Sequence, residues 1–287
     1  MRTLSILLAI LLSACGAPDT TYSGTPSTAS WIQKTDTTID THLENTPVIF
    51  QGKMYYVSCD RDLPTHGVNV FDENAVMVTH YETSMQLCSA IVDNDTLYVF
   101  GSRGRTIVMA STTDLVNWNT QTVLNAPYTL YNSSVAKDAT GYVMAYENCE
   151  NVCTFSLARS KDLIHWQNAG DWHDYHYTAC PTIRYVGGYY YVMFLGEFDS
   201  GNYATLIARS SDLYTWQTSP QAVVSPLDGL DATLNSGNTS DLDFVEINGK
   251  VLIEYQNFSQ HNVVINGTGT RLASFDGTME QFLSKFF

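Results

Sequence analysis

The sequence predicts an all-β fold, a five-bladed β-propeller with four antiparallel strands per blade, and three observations predict it. A nine-residue turn segment occurs three times, as Ala110-Ser-Thr-Thr-Asp114-Leu115-Val-Asn-Trp118, Ala158-Arg-Ser-Lys-Asp162-Leu163-Ile-His-Trp166 and Ala208-Arg-Ser-Ser-Asp212-Leu213-Tyr-Thr-Trp216. Its aspartates lie 48 and 50 residues apart, a period that suits propeller blades. Five pairs of short apolar, β-branched runs flank tight reversals, and 18 Tyr, 12 Phe and 5 Trp in 287 residues add to the sheet character.

The strand pairs follow in order. Thr46–Phe50 and Met54–Val57 flank Gln51-Gly52-Lys53; Ser89–Val92 and Thr96–Phe100 flank Asp93-Asn-Asp95. Ser133–Ala136 and Gly141–Ala145 flank Lys137–Thr140; Thr182–Val186 and Tyr189–Met193 flank Gly187-Gly188. Asp243–Ile247 and Lys250–Ile253 flank Asn248-Gly249. Asn-Gly and Gly-Gly supply the positive φ that hairpin turns require. Two further strands after each hairpin complete a blade. In the repeated turn the hydroxyl and the Asp can bond their own backbone, the Leu is available for burial, and the Trp can wedge between neighbouring sheets. The first and last units lack the Trp turn, as terminal repeats do.

The N-terminus reads differently. Residues 1–14, with one positive charge and a short apolar run, predict a cleaved export signal; Leu12-Ser13-Ala14-Cys15 resembles a bacterial lipoprotein signal with Cys15 as the lipidated residue. Residues 15–40 are expected to be a flexible tether and 41–287 the propeller. An exported lipoprotein on the periplasmic or cell-surface side of the outer membrane follows, held to the membrane only through its lipid and expected as a monomer. A net charge of −15 excludes nucleic acid as a partner, because phosphate binding depends on Lys and Arg. An exported compartment permits disulfides. Cys149 and Cys153 are spaced to bridge a hairpin, whereas Cys59, Cys88 and Cys180 read as small buried residues.

Counting back from each hairpin turn puts one residue of every blade at a common level where the innermost strands begin: Glu44, Leu87 or Cys88, Asn132, Cys180 and Asp241. Two are acids, on blades that become neighbours when the ring closes. A second ring, one strand further out, holds Cys59, Ser102, Glu147, Leu195 and Gln256. Glu147 follows an apolar strand, where a carboxylate is costly unless paired or functional. Asp241, Glu147 and Glu44 are therefore the candidate catalytic carboxylates. Asn132, Asn45, Asp243 and Arg184 are candidate substrate ligands; a structural salt bridge is the competing reading for Arg184, and a satisfied interior group for Asp243. Trp172, Tyr175 and Tyr177, just before the fourth inner strand, are candidates for a sugar-stacking platform. His80, His173 and His176 match no zinc spacing. No metal ligand set or cofactor is expected, with a structural calcium at the axis left open.

The Ser/Thr-x-Asp-Leu-x-x-Trp turn, present three times in a chain of five expected blades, resembles the propeller glycosidases of glycoside hydrolase families 43 and 32, over roughly residues 40–287. Tyr177-Thr-Ala-Cys-Pro181-Thr-Ile-Arg-Tyr185 and Asn238-Thr-Ser-Asp-Leu-Asp243 are similar to segments of a family 43-like branch. Where family 32 carries a Glu-Cys-Pro acid, this chain has Ala179-Cys180-Pro181. The resemblance implies a glycosidase that uses two carboxylates on the chain end of a poly- or oligosaccharide. A surface glycan-binding propeller without turnover is the alternative, and an interaction scaffold a third reading.

Overall fold

In a computed structural model the described residues are 22, 25–39, 44–59, 66–150, 152–172, 177–199, 201–234, 237–257 and 269–287. The N-terminal strand β1 (Gln33–Thr38) precedes blade one, which is β2 (Asn45–Phe50), β3 (Lys53–Ser58), β4 (Gly67–Asp72) and β5 (Met77–Glu82). Blade two is β6 (Gln86–Asp93), β7 (Thr96–Arg103), β8 (Thr106–Thr112) and β9 (Asn119–Asn125). Blade three is β10 (Leu130–Asp138), β11 (Gly141–Asn148), β12 (Thr154–Ser160) and β13 (Trp166–Asp171). Blade four is β14 (Ala179–Val186), β15 (Tyr189–Asp199), β16 (Asn202–Ser210) and β17 (Gln217–Thr218). Blade five combines β18 (Ser240–Ile247), β19 (Lys250–Asn257) and β20 (Gly269–Asp276) with β1 at its outer edge.

All five hairpins fall where the sequence puts them. At four of them both central residues have positive φ: Gln51 and Gly52, Asn94 and Asp95, Gly187 and Gly188, Asn248 and Gly249. That is the type I′ geometry whose twist matches the strands it joins.

The repeated turn closes as its residues dictate. Asp162 Oδ1 accepts from the backbone N–H of Ile164 and of His165, both at 2.9 Å, and Trp166 Nε1 donates to Leu163 O at 2.9 Å. Asp114 and Asp212 repeat the pattern, and the leucines at 115, 163 and 213 are buried. Each Trp then packs on the preceding blade: Trp118 stacks on Tyr81, Trp166 meets Phe100 edge-on, and Trp216 packs on Phe155. Four apolar clusters fill the junctions of blades one and two, two and three, three and four, and four and five.

Three expectations are corrected here. The expected tether includes structured chain: β1 pairs antiparallel with β20, Gln33 opposite Ser274, so the N-terminus supplies the fifth blade's outer strand. Lys34 fixes it, with Nζ 2.8 Å from Asp228 Oδ1, 2.9 Å from Ser225 O and ion-paired to buried Asp231. Cys59 and Cys88 are joined as a disulfide that staples blade one to blade two, while Cys149–Cys153 bridges as expected. Trp172 is buried among Phe155, Phe194 and Trp216, filling the core between blades three and four instead of a sugar platform. Cys15, Tyr175, His173 and His176 lie outside the described residues. Among those described, no helix is long and apolar enough to cross a membrane.

Candidate active site: a carboxylate pit at the propeller axis

Each inner strand of blades two to five begins with a bulge. The ladder skips a residue between Gln86 and Ser89, Tyr131 and Ser133, Ala179 and Thr182, and Ser240 and Asp243. Leu87, Cys180 and Asp241 take up the extra residue with φ of 52°, 50° and 49°, and Glu44, at the head of the first inner strand, has φ 59°. A bulge re-aims the side chain it carries. Repeated around the ring, it turns Glu44, Leu87, Cys88, Asn132, Cys180 and Asp241 into one axial pit, with Asn45 and Asp243 beside them. The level inferred from hairpin offsets is thus a physical ring, and Glu44 and Asp241 both line it. Its free space, about 40 Å³, is room for a water or two, so a larger ligand would occupy the mouth rather than the floor.

Cys180 sits at the centre of the electrostatics. Its thiol donates to Asp241; burial first, then the charges of Asp241, Glu147 and Glu44, push its pKa well up, so it stays a neutral thiol. Asn132 Nδ2 lies 3.2 Å from Cys180 Sγ and donates at 3.0 Å to Glu147 Oε2, which also accepts from the Cys180 backbone N–H at 3.0 Å. Glu147 itself does not line the pit. It is 5% exposed, behind the wall made by Asn132 and Cys180. Burial, helped by Asp241, raises its pKa to about 7 against the two hydrogen bonds. The expectation that Glu147 touches substrate is revised: it acts on the pit through these two neighbours.

The other candidates divide. Asn45 is buried at the pit edge, where its side chain favours the charged form of Glu254. Asp243 is buried and ion-paired to Arg184, whose guanidinium also donates to Ile183 O and Phe244 O. Arg184 lines a separate cavity of about 220 Å³ further along the axis, so it ties blade four to blade five and is not a pit ligand. Tyr177 packs at a tilt against Tyr203, ring centres 5.2 Å apart, and burial with the nearby Cys180 and Glu147 pushes its hydroxyl pKa well up, which puts it beside the pit. His80 is bonded to Asn69 at 2.7 Å. Glu147, Cys149 and Cys153 bring three donor atoms within 4.8 Å of one another, but the sulfurs are bonded together and have no thiolate to offer a metal.

Sequence reasoning passed over two residues. Cys180 was counted in the ring without a role, although its place between Asn132 and Asp241 was implicit in that count. Glu254, buried on β19 with its pKa raised to about 8, gave no signal beyond an acid inside an apolar strand.

A five-bladed propeller with an axial carboxylate pit is the class that fold and site define. No protein-family model and no curated protein matches the chain. Among solved structures its fold is similar to the GH43 protein BlXynB of Bacillus licheniformis (TM-score 0.60, 14% identity), covering 86% of this chain and 53% of that one. This chain therefore spans about half of that protein. It is also similar to the GH43 endo-arabinanase of B. licheniformis (TM-score 0.56, 13% identity, 83% and 95% covered). A third likeness is to the β-1,2-mannobiose phosphorylase of Listeria innocua (TM-score 0.62, 9% identity, 89% and 96% covered). The fold is that of the GH43 and GH32 propellers.

Proposed function

We propose that the chain is a glycoside hydrolase that takes the end of a poly- or oligosaccharide into the axial pit and cleaves its glycosidic bond between Glu44 and Asp241. The observation that supports this reading is that those two acids, far apart in the sequence, both line one axial pit, each with a positive φ at the start of its inner strand. Glycoside hydrolysis needs one carboxyl to protonate the leaving oxygen and a second to act as nucleophile or to activate water. Asn132 and the edge of the Tyr177–Tyr203 pair are placed to contact the sugar. With Glu147 protonated behind the wall, the working pit holds one carboxyl as the acid and one as carboxylate, a single negative charge. Ionisation of Glu147 adds a second, so turnover should fall as pH rises through about 7, and Glu147→Gln should remove that alkaline limb.

The test is a panel of neutral plant and algal oligosaccharides scored for binding and for released sugar. Asp241→Asn and Glu44→Gln should each lower turnover by about a thousandfold or more, with melting unchanged. Full activity in either variant would remove that residue from the mechanism. Binding without release, in wild type and both variants alike, would favour the glycan-binding alternative, for which Ala179-Cys180-Pro181 in place of a Glu-Cys-Pro acid speaks. Running the panel with inorganic phosphate distinguishes phosphorolysis. On this reading turnover needs no cofactor and survives dialysis against a chelator; a lower melting temperature after dialysis would point to a structural calcium. We also propose export as a lipid-anchored monomer, for which fatty-acid labelling lost in Cys15→Ala is the check.

A further inference from the structure

Cys149 Sγ lies 3.1 Å from Glu147 Oε1, the oxygen that Asn132 and Cys180 leave free. The disulfide therefore caps one side of a carboxylate whose other side is held by two pit residues. Its loop is also tied to both of the strands that carry those residues. The Cys149 N–H donates to Thr129 O at 3.3 Å, next to the start of β10 with Asn132. The Thr178 N–H donates to Cys153 O at 3.0 Å, next to the start of β14 with Cys180, and Thr178 Oγ1 accepts from the Phe155 N–H at 3.1 Å. A short covalent loop thus braces the starts of blades three and four on either side of Glu147. Both cysteines are half-buried, within reach of a small reagent.

We propose that the Cys149–Cys153 disulfide is a positioning clamp for the pit, holding Glu147 dry and keeping Asn132 and Cys180 aimed at the axis, so that its reduction loosens the pit. The proposal rests on Glu147 acting through Asn132 and Cys180. In the redox step a dithiol reductant supplies two electrons: the S–S bond breaks, each sulfur ends as a thiol, and the reagent's two thiols become its own disulfide. Cys149 and Cys153 are then held by the hydrogen bonds named above without the covalent link, and water reaches Glu147 Oε1. The ionisable groups facing Glu147 are Asp241 of blade five, Cys180 of blade four and Tyr177 before it. Reduction adds the Cys149 and Cys153 thiols, the first within donating distance of Glu147 Oε1; the Cys149→Ala/Cys153→Ala variant carries neither, so a change of Glu147 in that variant reports on the clamp.

The experiment reads the pit without reading turnover, so its failure and that of the glycosidase proposal are separable. The full chain and its Cys149→Ala/Cys153→Ala variant are labelled with ¹³C-glutamate, and the Glu147 carboxyl signal, identified by its loss in Glu147→Gln, is titrated. In parallel, alkylation of Cys180 by iodoacetamide is followed by peptide mass spectrometry. The clamp predicts that the titration midpoint drops from about 7 towards the ordinary glutamate value by about one unit or more. It also predicts that Cys180 reacts at least about tenfold faster while the near-ultraviolet circular dichroism is retained. If the double variant does not fold, wild type reduced with a dithiol and freed of it by gel filtration takes its place. An unchanged midpoint and rate in a folded, opened protein would overturn the proposal. So would global unfolding on reduction, because the bridge would then be holding the domain and not the pit.

Discussion

The junction of blades three and four and the junction of blades five and one each bury a glutamate on the second strand from the axis, and the two glutamates differ in what they can reach. Glu147 pairs across the ladder with Tyr131, at the bulge, and accepts from Asn132 of its own blade and Cys180 of the next. Glu254 pairs with Asp243; Gln256, opposite Ser240, is the residue at the bulge level, so Glu254 lies two residues deeper. Burial raises its pKa to about 8 although the Asn45 side chain of blade one favours its charge, against about 7 for Glu147. One step of strand register thus separates a carboxyl coupled to the pit from one confined to the closure. The junctions differ in filling as well. Among the described residues an apolar cluster packs blade three on blade four, whereas none of the four clusters spans the closure, which places Asn45, Thr46, Asp243 and Glu254 across it.

The largest effect should come from the ion pair that neutralises the closure side. Arg184→Met leaves Asp243 buried without its cation, and breaking a buried pair in this way costs about 3–5 kcal/mol. Urea unfolding at pH 7 measures it. A cost below about 1 kcal/mol would mean that the closure takes up water freely, and the contrast with the dry Glu147 site would fail.

Next in size are the pH-linked contributions of the two glutamates. Each has a folded pKa above its unfolded value near 4.5, so between the two values the native state holds a proton that the unfolded chain has released. Stability therefore falls with rising pH across that window. The contribution is fully present below pH 4.5 and is lost by about pH 8 for Glu254 and about pH 7 for Glu147. Glu254→Gln should accordingly stabilise the protein at pH 9 relative to pH 5 by on the order of a few kcal/mol, and Glu147→Gln by less. Paired denaturation curves at the two pH values check both the sign and the order. Equal effects would show that the second hydrogen bond at Glu147 contributes nothing.

Much of this arrangement was legible in the chain because it rests on local rules. Asn248-Gly249 and Gly187-Gly188 fix their turns by φ, the Asp162 turn closes on its own backbone, and offsets from the hairpins are preserved because an inner strand has a fixed rise. Hence Glu44 and Asp241 were found at one level although they lie at opposite ends of the sequence. What stayed hidden depends on non-local partners. Gln33–Thr38 carries almost no apolar signal, since an outer strand needs only a ladder partner and, here, the Lys34 anchor. Trp172 stands beside polar, aromatic residues in sequence, and its burial is decided by Phe155, Phe194 and Trp216 from other strands. The Cys59–Cys88 bridge joins adjacent blades, so neither cysteine's own neighbours announce it. Arg184 and Asp243 could each be read as a site residue or as structure, and only their pairing chooses.

The smallest predicted effect bears on the two hydrogen bonds that hold Glu147 at about 7. Asn132→Leu removes one donor to its charged form and leaves the Cys180 N–H in place, so the Glu147 midpoint should rise by about one unit, the worth of a single bond to a charged group after partial compensation. The same ¹³C titration reads it. Asn45→Leu should move Glu254 in the same direction and leave the Glu147 midpoint unchanged, because Glu254 lies below the bulge level. A fall in the Glu147 midpoint would mean that water replaces the lost amide. Glu147 would then be separated from the axis by only one removable side chain, and the wall of Asn132 and Cys180 would not be what keeps it dry.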